Sequence, residues 1–321
     1  MPKLFSNVSH LFKKHFGRLF SVLLASMMAT TAMAGKDQAG CSPNFSDYKV
    51  GIWATTSPPN TEQDPNTPVY PPSSDYKVLG GGAIVHTLQG NAFLTASYPD
   101  IDSATSAPIG WIAESKHLGA GTRARITAYV IAVNDPANCW SVKAFQQSTS
   151  TAAAHPSATV TLDTGYVLTG GGGRAMPKTP GGNGNFLFSS IPHASVEGGV
   201  YNGWFAHSKD HGIGDAANIT AFAIGIKAAG VSVNTPTSNV APGKPSTSLS
   251  NPSAYANGYN GVLPGINCTM TGGGAYDNWG NGYGNMLTAI YPIGIGGWQA
   301  FAQSYGQDNP AVLTSYVICL N

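Results

Sequence analysis

The residues best equipped for chemistry fall into two groups. His207, Lys209, Asp210 and His211, with Asp215 close behind, put acids and two imidazoles within one short segment. Such a set can bind a metal or act as general base; a solvated loop between two strands is the plainer reading. The second group is aromatic. Tyr255, Tyr259, Tyr276, Asp277, Asn278, Trp279, Asn281, Tyr283 and Asn285 are interleaved with glycine. The apolar face of a sugar ring lies on Trp or Tyr, while Asn and Asp exchange hydrogen bonds with its hydroxyls. Tyr276, Asp277, Asn278, Trp279 and Tyr283 are therefore the candidate ligand-binding residues, although Tyr, Asn and Gly are also ordinary turn and edge residues. Asp100 and Asp102 offer two carboxylates towards calcium without further ligands. No Gly-x-Ser-x-Gly elbow, His-Glu-x-x-His helix, P-loop or EF-hand spacing occurs. No catalytic residue, metal ligand or cofactor is assigned on these grounds.

The elements that position these residues come in triplicate. Tyr76-Lys77-Val78-Leu79-Gly80-Gly81-Gly82 is matched by Tyr166-Val167-Leu168-Thr169-Gly170-Gly171-Gly172 and by Cys268-Thr269-Met270-Thr271-Gly272-Gly273-Gly274. A run ending in proline follows each, Leu94 to Pro99, Leu187 to Pro192 and Leu287 to Pro292. Gly110-Trp111, Gly203-Trp204 and Gly297-Trp298 come next, then Ile126-Thr127-Ala128-Tyr129, Ile219-Thr220-Ala221-Phe222 and Leu313-Thr314-Ser315-Tyr316. The offset from Trp to the closing run is 15 residues in every copy, whereas that from Pro to Trp is 12, 12 and 6, so only a loop differs. The repeats span about residues 41–133, 134–226 and 227–321. The metal-capable cluster belongs to one copy only, since its counterparts are Lys116-His117 and Ser304 to Asp308; Lys116, Lys209 and Gln303 are equivalent.

Each repeat reads as β: short runs rich in Val, Ile, Thr, Tyr and Phe, divided by Gly, Pro, Asn and Ser. A further strand is expected upstream of each glycine run, at 49–56, 141–147 and 224–233, with 57–74 and 234–257 as connections. The recurrent Trp111, Trp204 and Trp298 are assigned to the core. Glycine within a strand permits a corner or close backbone approach, so its recurrence suggests three antiparallel sheets sharing a core about a pseudo-threefold axis, a β-prism. In that arrangement the N-terminal strand pairs with the last strand to complete the ring. Tandem β-sandwiches, or a trefoil or propeller-like ring, are the alternatives. The Gly-rich strand, Gly-Trp and closing-strand pattern resembles the vitelline membrane outer layer protein type across most of residues 41–321, and the resemblance implies a prism scaffold. Cys268 opens the glycine strand and Cys319 ends the closing strand of the same repeat, which pairs them. Cys41 and Cys139 then pair with each other.

Lys3, Lys13, Lys14 and Arg18 precede an apolar run, Leu19 to Ala34, ending Ala-Met-Ala, the pattern of a secretory signal peptide over 1–34. The remaining 35–321 forms one all-β domain of three repeats, with 12 basic against 15 acidic residues. That balance speaks against nucleic acid as a partner. No later segment suits a transmembrane helix, and four cysteines fit an oxidising, extracellular or periplasmic compartment. The sequence predicts a secreted, non-enzymatic recognition protein, carbohydrate-binding in a lectin-like manner, whose partner is a glycan or cell-surface ligand. The alternatives are an extracellular matrix protein, a toxin or pore-forming protein with a prism docking module, and a secreted hydrolase using 207–211. Oligomeric state stays open.

Overall fold

A computed structural model describes residues 40–58, 64–87, 91–118, 124–178, 182–196, 198–229, 233–258, 268–278 and 284–321. The segment 1–34, expected to be a signal peptide, lies outside the described residues. The first repeat supplies β1 (Val50–Thr56), β2 (Asn66–Val69), β3 (Tyr76–His86), β4 (Ala92–Ile101), β5 (Pro108–His117) and β6 (Arg125–Asn134). The second supplies β7 (Trp140–Ser148), β8 (Ser157–Thr161), β9 (Val167–Pro177), β10 (Asn185–Ala194), β11 (Tyr201–Asp210) and β12 (Ala217–Ala228). The third supplies β13 (Ser238–Pro242), β14 (Ser253–Asn257), β15 (Thr269–Asn278), β16 (Met286–Ile293), β17 (Gly297–Gln303) and β18 (Val312–Leu320).

The repeats exchange strands in a cycle. Three six-stranded antiparallel sheets run β1-β6-β3-β16-β17-β14 (sheet A), β2-β5-β4-β9-β12-β7 (sheet B) and β13-β18-β15-β10-β11-β8 (sheet C). Every sheet joins half of one repeat to half of another, so the repeats are not independent sandwiches. The joints are short: Ala83 and Ile84 meet Ile290 and Ala289, Ser97 and Ala96 meet Gly173 and Arg174, and Ser190 and Ser189 meet Ala275 and Tyr276.

The three consecutive glycines of each repeat explain how such joints close. At the first, the register slips, leaving Leu79, Thr169 and Thr271 as bulged residues. These bulges touch: Thr169 Oγ1 donates to Leu79 O at 2.7 Å, and Thr271 Oγ1 to Thr169 O at 2.8 Å. A Cβ on Gly170 would stand 2.6 Å from Leu79 O, one on Gly272 2.6 Å from Thr169 O, and one on Gly80 would strike Thr271 O. At the second glycine, Trp111, Trp204 and Trp298 lie flat where a Cβ would be, and all three are fully buried. At the third, the neighbouring repeat crosses, with Tyr291, Tyr98 and Ile191 Cα 2.8, 2.9 and 3.1 Å from a Cβ on Gly82, Gly172 and Gly274. One triplet thus serves repeat-to-repeat contact, Trp packing and strand crossing.

The shared core holds Leu94, Leu187 and Leu287 with Ile126, Ile219 and Leu313, equivalent positions of the three repeats. Both expected disulfides form, Cys41–Cys139 and Cys268–Cys319, with Cα separations of 5.6 and 5.3 Å. At the second bridge's place in repeat two, a Cβ on Gly225 would come 2.9 Å from Tyr166 Cβ, as the repeat alignment requires.

Three expectations need correction. β1 pairs with β6 of its own repeat, while β18 pairs with β13 and β15. The cycle is carried by the interior joints rather than by the chain ends. The run expected at 224–233 is the tail of β12, and the first strand of repeat three is β13. The connections at 57–74 and 234–257 contain β2, β13 and β14. These are edge strands of four or five residues, and Pro68 and Pro242 sit in them at no cost because an edge leaves one side unpaired.

Candidate ligand-binding surface

Strand alternation separates the predicted residues. Along β15, Asp277 pairs with the fully buried Leu313 and faces inward, whereas Tyr276, opposite Thr314, and the exposed Asn278 face outward. The Tyr276 hydroxyl donates to Asn278 Oδ1 at 3.5 Å. Trp279 and Tyr283 lie outside the described residues, as do Tyr259 and Asn281. Tyr316 stands opposite Gly274 on the same face; burial raises its pKa, and the nearby Tyr201 and Tyr276 add to the rise.

Asp277 occupies a position that the other repeats fill with Val85 and Ala175. Its carboxylate is fully buried and accepts no hydrogen bond among the described residues. Burial raises its pKa to about 7, against the opposing pull of Lys209. Lys209, also fully buried, lies on β11 opposite Phe186, and burial lowers its pKa to about 8 although Asp277 and Asp210 attract it. The two desolvation penalties outweigh the mutual attraction. The equivalent Lys116 instead reaches Asp64 at 3.2 Å near the surface.

The segment from His207 is therefore not a solvated loop. It ends a strand, and its groups point to separate partners. His207 packs on Phe188 and Phe205, with ring centroids 4.2 and 5.8 Å away, and burial lowers its pKa to about 4. Asp210 pairs with His155 at 3.3 Å, His211 Nε2 lies 2.8 Å from Tyr305 O, and the Asp215 carboxylate accepts from Gly184 N–H at 2.6 Å. Among the described residues no group of three or more His, Cys, Asp or Glu is placed to hold a metal ion. Asp100 accepts from the Tyr70 hydroxyl at 2.8 Å, and Asp102 caps its own turn through Ala104 N–H and Thr105 Oγ1.

The outward faces carry more aromatic surface than the sequence reading identified. On sheet A, Tyr129 and Tyr291 have centroids 5.5 Å apart with planes 26° from parallel, and Tyr291 and Phe301 follow at 6.5 Å and 17°. On sheet B the equivalent rings are buried instead: Phe222 and Tyr98 are 5.2 Å apart in a small apolar cluster, Arg174 lies over the Tyr98 ring at 5.1 Å, and Arg174 pairs with Glu114 at 3.1 Å. The signal for these rings lay in the repeat itself. The fourth closing-run residue is Tyr129, Phe222 or Tyr316, and the residue before each recurrent proline is Tyr98, Ile191 or Tyr291. A hydroxyl-rich groove of about 510 Å³ also opens between β7 and β8, lined by Ser150, Thr151, His155, Ser157 and Thr159. No known family model and no curated protein matches this chain.

Proposed function

We propose that this chain is a secreted carbohydrate-recognition protein that binds without chemical turnover. One observation carries the reading: β15 presents Tyr276 and Asn278 outward, an aromatic ring and an amide in contact, at the entry to the segment holding Trp279 and Tyr283. A ring supplies the apolar face that stacks on a sugar, and an amide supplies both a donor and an acceptor for its hydroxyls. The signal-like N-terminus and the two disulfides support export to an oxidising compartment. No helix among the described residues is long and apolar enough to cross a membrane. The test is a glycan array probed with the exported, disulfide-intact protein and with Tyr276→Ala and Trp279→Ala. Specific glycan binding that both variants lose, with unchanged far-UV circular dichroism, is expected. Binding unaffected by both substitutions removes the site, and no binding by folded protein removes the reading.

A further inference from the structure

We infer that the outward face of sheet A is a second binding site, which takes a neutral, linear, β-linked polysaccharide along the row Tyr129, Tyr291 and Phe301. The inference rests on the carbohydrate reading above and names a substrate class and a separate place. Three strands, β6, β16 and β17, contribute one ring each, and neighbouring rings stack on one another in a row across the sheet. None is sealed in the core: Tyr129 and Tyr291 are half-buried and Phe301 is 36% exposed. Tyr255, 43% exposed on the edge strand β14, continues the face beside Gln299, its partner in register. Gly82 makes the row possible. Tyr129 is its register partner, and Tyr291 Cα lies 2.8 Å from where a Cβ would be, so any side chain there would part the two rings.

The chemistry beside the rings selects the occupant. Thr127 Oγ1 contacts Thr56 Oγ1 at 2.7 Å and His86 Nε2 at 2.8 Å, forming a hydroxyl–imidazole group along the flank of the row. Gln299 adds an amide on the other side. Arg125, opposite His86 in register, marks one margin of the row, and at the other the Lys244 backbone forms an antiparallel bridge with Tyr255. Rings, hydroxyls and an amide without a central charge complement an uncharged polyol; an acidic polymer would require cations in the row. A β-linked chain presents flat apolar ring faces in succession, which the outward side of the stacked Tyr129, Tyr291 and Phe301 rings, extended by the exposed Tyr255, can meet at several points. A chain spanning the row gains from multivalency, since its second and third contacts are intramolecular.

The test is retention of the exported protein on cellulose and on chitin, with Phe301→Ala, Tyr291→Ala and Tyr276→Ala compared on the same matrices. Retention on one matrix is expected to weaken about tenfold in Phe301→Ala and in Tyr291→Ala. It should be nearly insensitive to salt, and circular dichroism should be unchanged. Phe301→Ala guards against a folding artefact, because that ring is partly exposed before substitution. Retention untouched by both row substitutions but lost in Tyr276→Ala overturns the row and leaves the carbohydrate reading in place. No retention, combined with glycan binding on the array, does the same; no binding in either assay overturns both. A dimer that Phe301→Ala disperses in sedimentation places a second copy on this face and also overturns the inference.

Discussion

Asp277→Asn should stabilise the protein increasingly as pH rises from 4 to 7. The substitution keeps the shape and polarity of the side chain and removes only its ionisation. In the unfolded chain the carboxyl ionises near 3.8, whereas in the folded protein burial holds it protonated to about 7. Between these values the native state binds one proton more than the unfolded state, so stability falls as pH rises. A displacement of about three pH units corresponds to roughly 4 kcal/mol at 1.36 kcal/mol each. Lys209, which burial holds at about 8 in the wild type, loses the attraction of Asp277 in the variant; its pKa then falls further, and any earlier relief of its burial adds to the variant's gain in the same direction. His207 acts in the opposite direction: its folded pKa of about 4 makes stability fall as pH drops below 6.5, but equally in both proteins. The difference between variant and wild type therefore cancels His207 and reads Asp277 together with its effect on Lys209. Urea unfolding followed by tryptophan fluorescence, at half-unit steps from pH 4 to 7.5, should show the variant gaining about 4 kcal/mol on the wild type. Should the variant be less stable at pH 7 by the 3–5 kcal/mol typical of breaking a buried ion pair, with no trend across the window, then attraction outweighs burial and the reasoning fails.

Two further outcomes follow from the repeat geometry. Ser190→Ala removes the acceptor, 2.9 Å away, of the buried Trp204 Nε1–H and should cost about 1–3 kcal/mol in urea unfolding. The same pairing joins Trp111 to Ser97 at 2.9 Å, so Ser97→Ala should match it in size. Gly272→Ala drives a methyl to 2.6 Å from Thr169 O, where backbone rather than a movable side chain must yield. It should lose more than 4 kcal/mol or fail to accumulate as folded protein, whereas Gly306→Ala, with open space around it but a φ of 75°, should cost only the backbone strain of about 1 kcal/mol.

Much of this architecture was legible because the chain states its plan three times. The recurring order of glycine run, tryptophan and closing run, with 15 residues from each tryptophan to its closing run, located equivalent positions, and equivalence chose the disulfide pairing. What spacing could not convey was which repeat each strand joins. An exchange between neighbours leaves the local pattern unchanged, since a β4-type strand needs the same alternation whether it pairs with its own repeat or the next. Edge strands escaped for a related reason: β2 and β13 carry prolines and half their hydrogen-bonding groups face away from the sheet, so composition marks them as loops.

The candidate site was harder because composition reports residue type but not the side of the strand. Tyr276, Asp277 and Asn278 read as one polar-aromatic cluster, yet a period of two sends the middle residue into the core. Comparison across repeats carries that information: Val85 and Ala175 at the Asp277 position mark it as inward. Applied to the closing runs, the same comparison separates the inward Ala128 from the outward Tyr129, but the strand exchange that brings Tyr291 and Phe301 beside it is visible only in the structure. The third repeat then shows where symmetry is broken. Ile290 stands where Ser97 and Ser190 hold a tryptophan N–H, and Trp298 Nε1 has no acceptor among the described residues. Ile290 lies beside Tyr291 and packs, 3% exposed, in the shared core. Repeat three thus gives up a buried hydrogen bond for apolar packing at the strand that carries the central ring of the row. A difference of this kind, set against an otherwise repeated scaffold, is where function is to be sought in a triplicated fold.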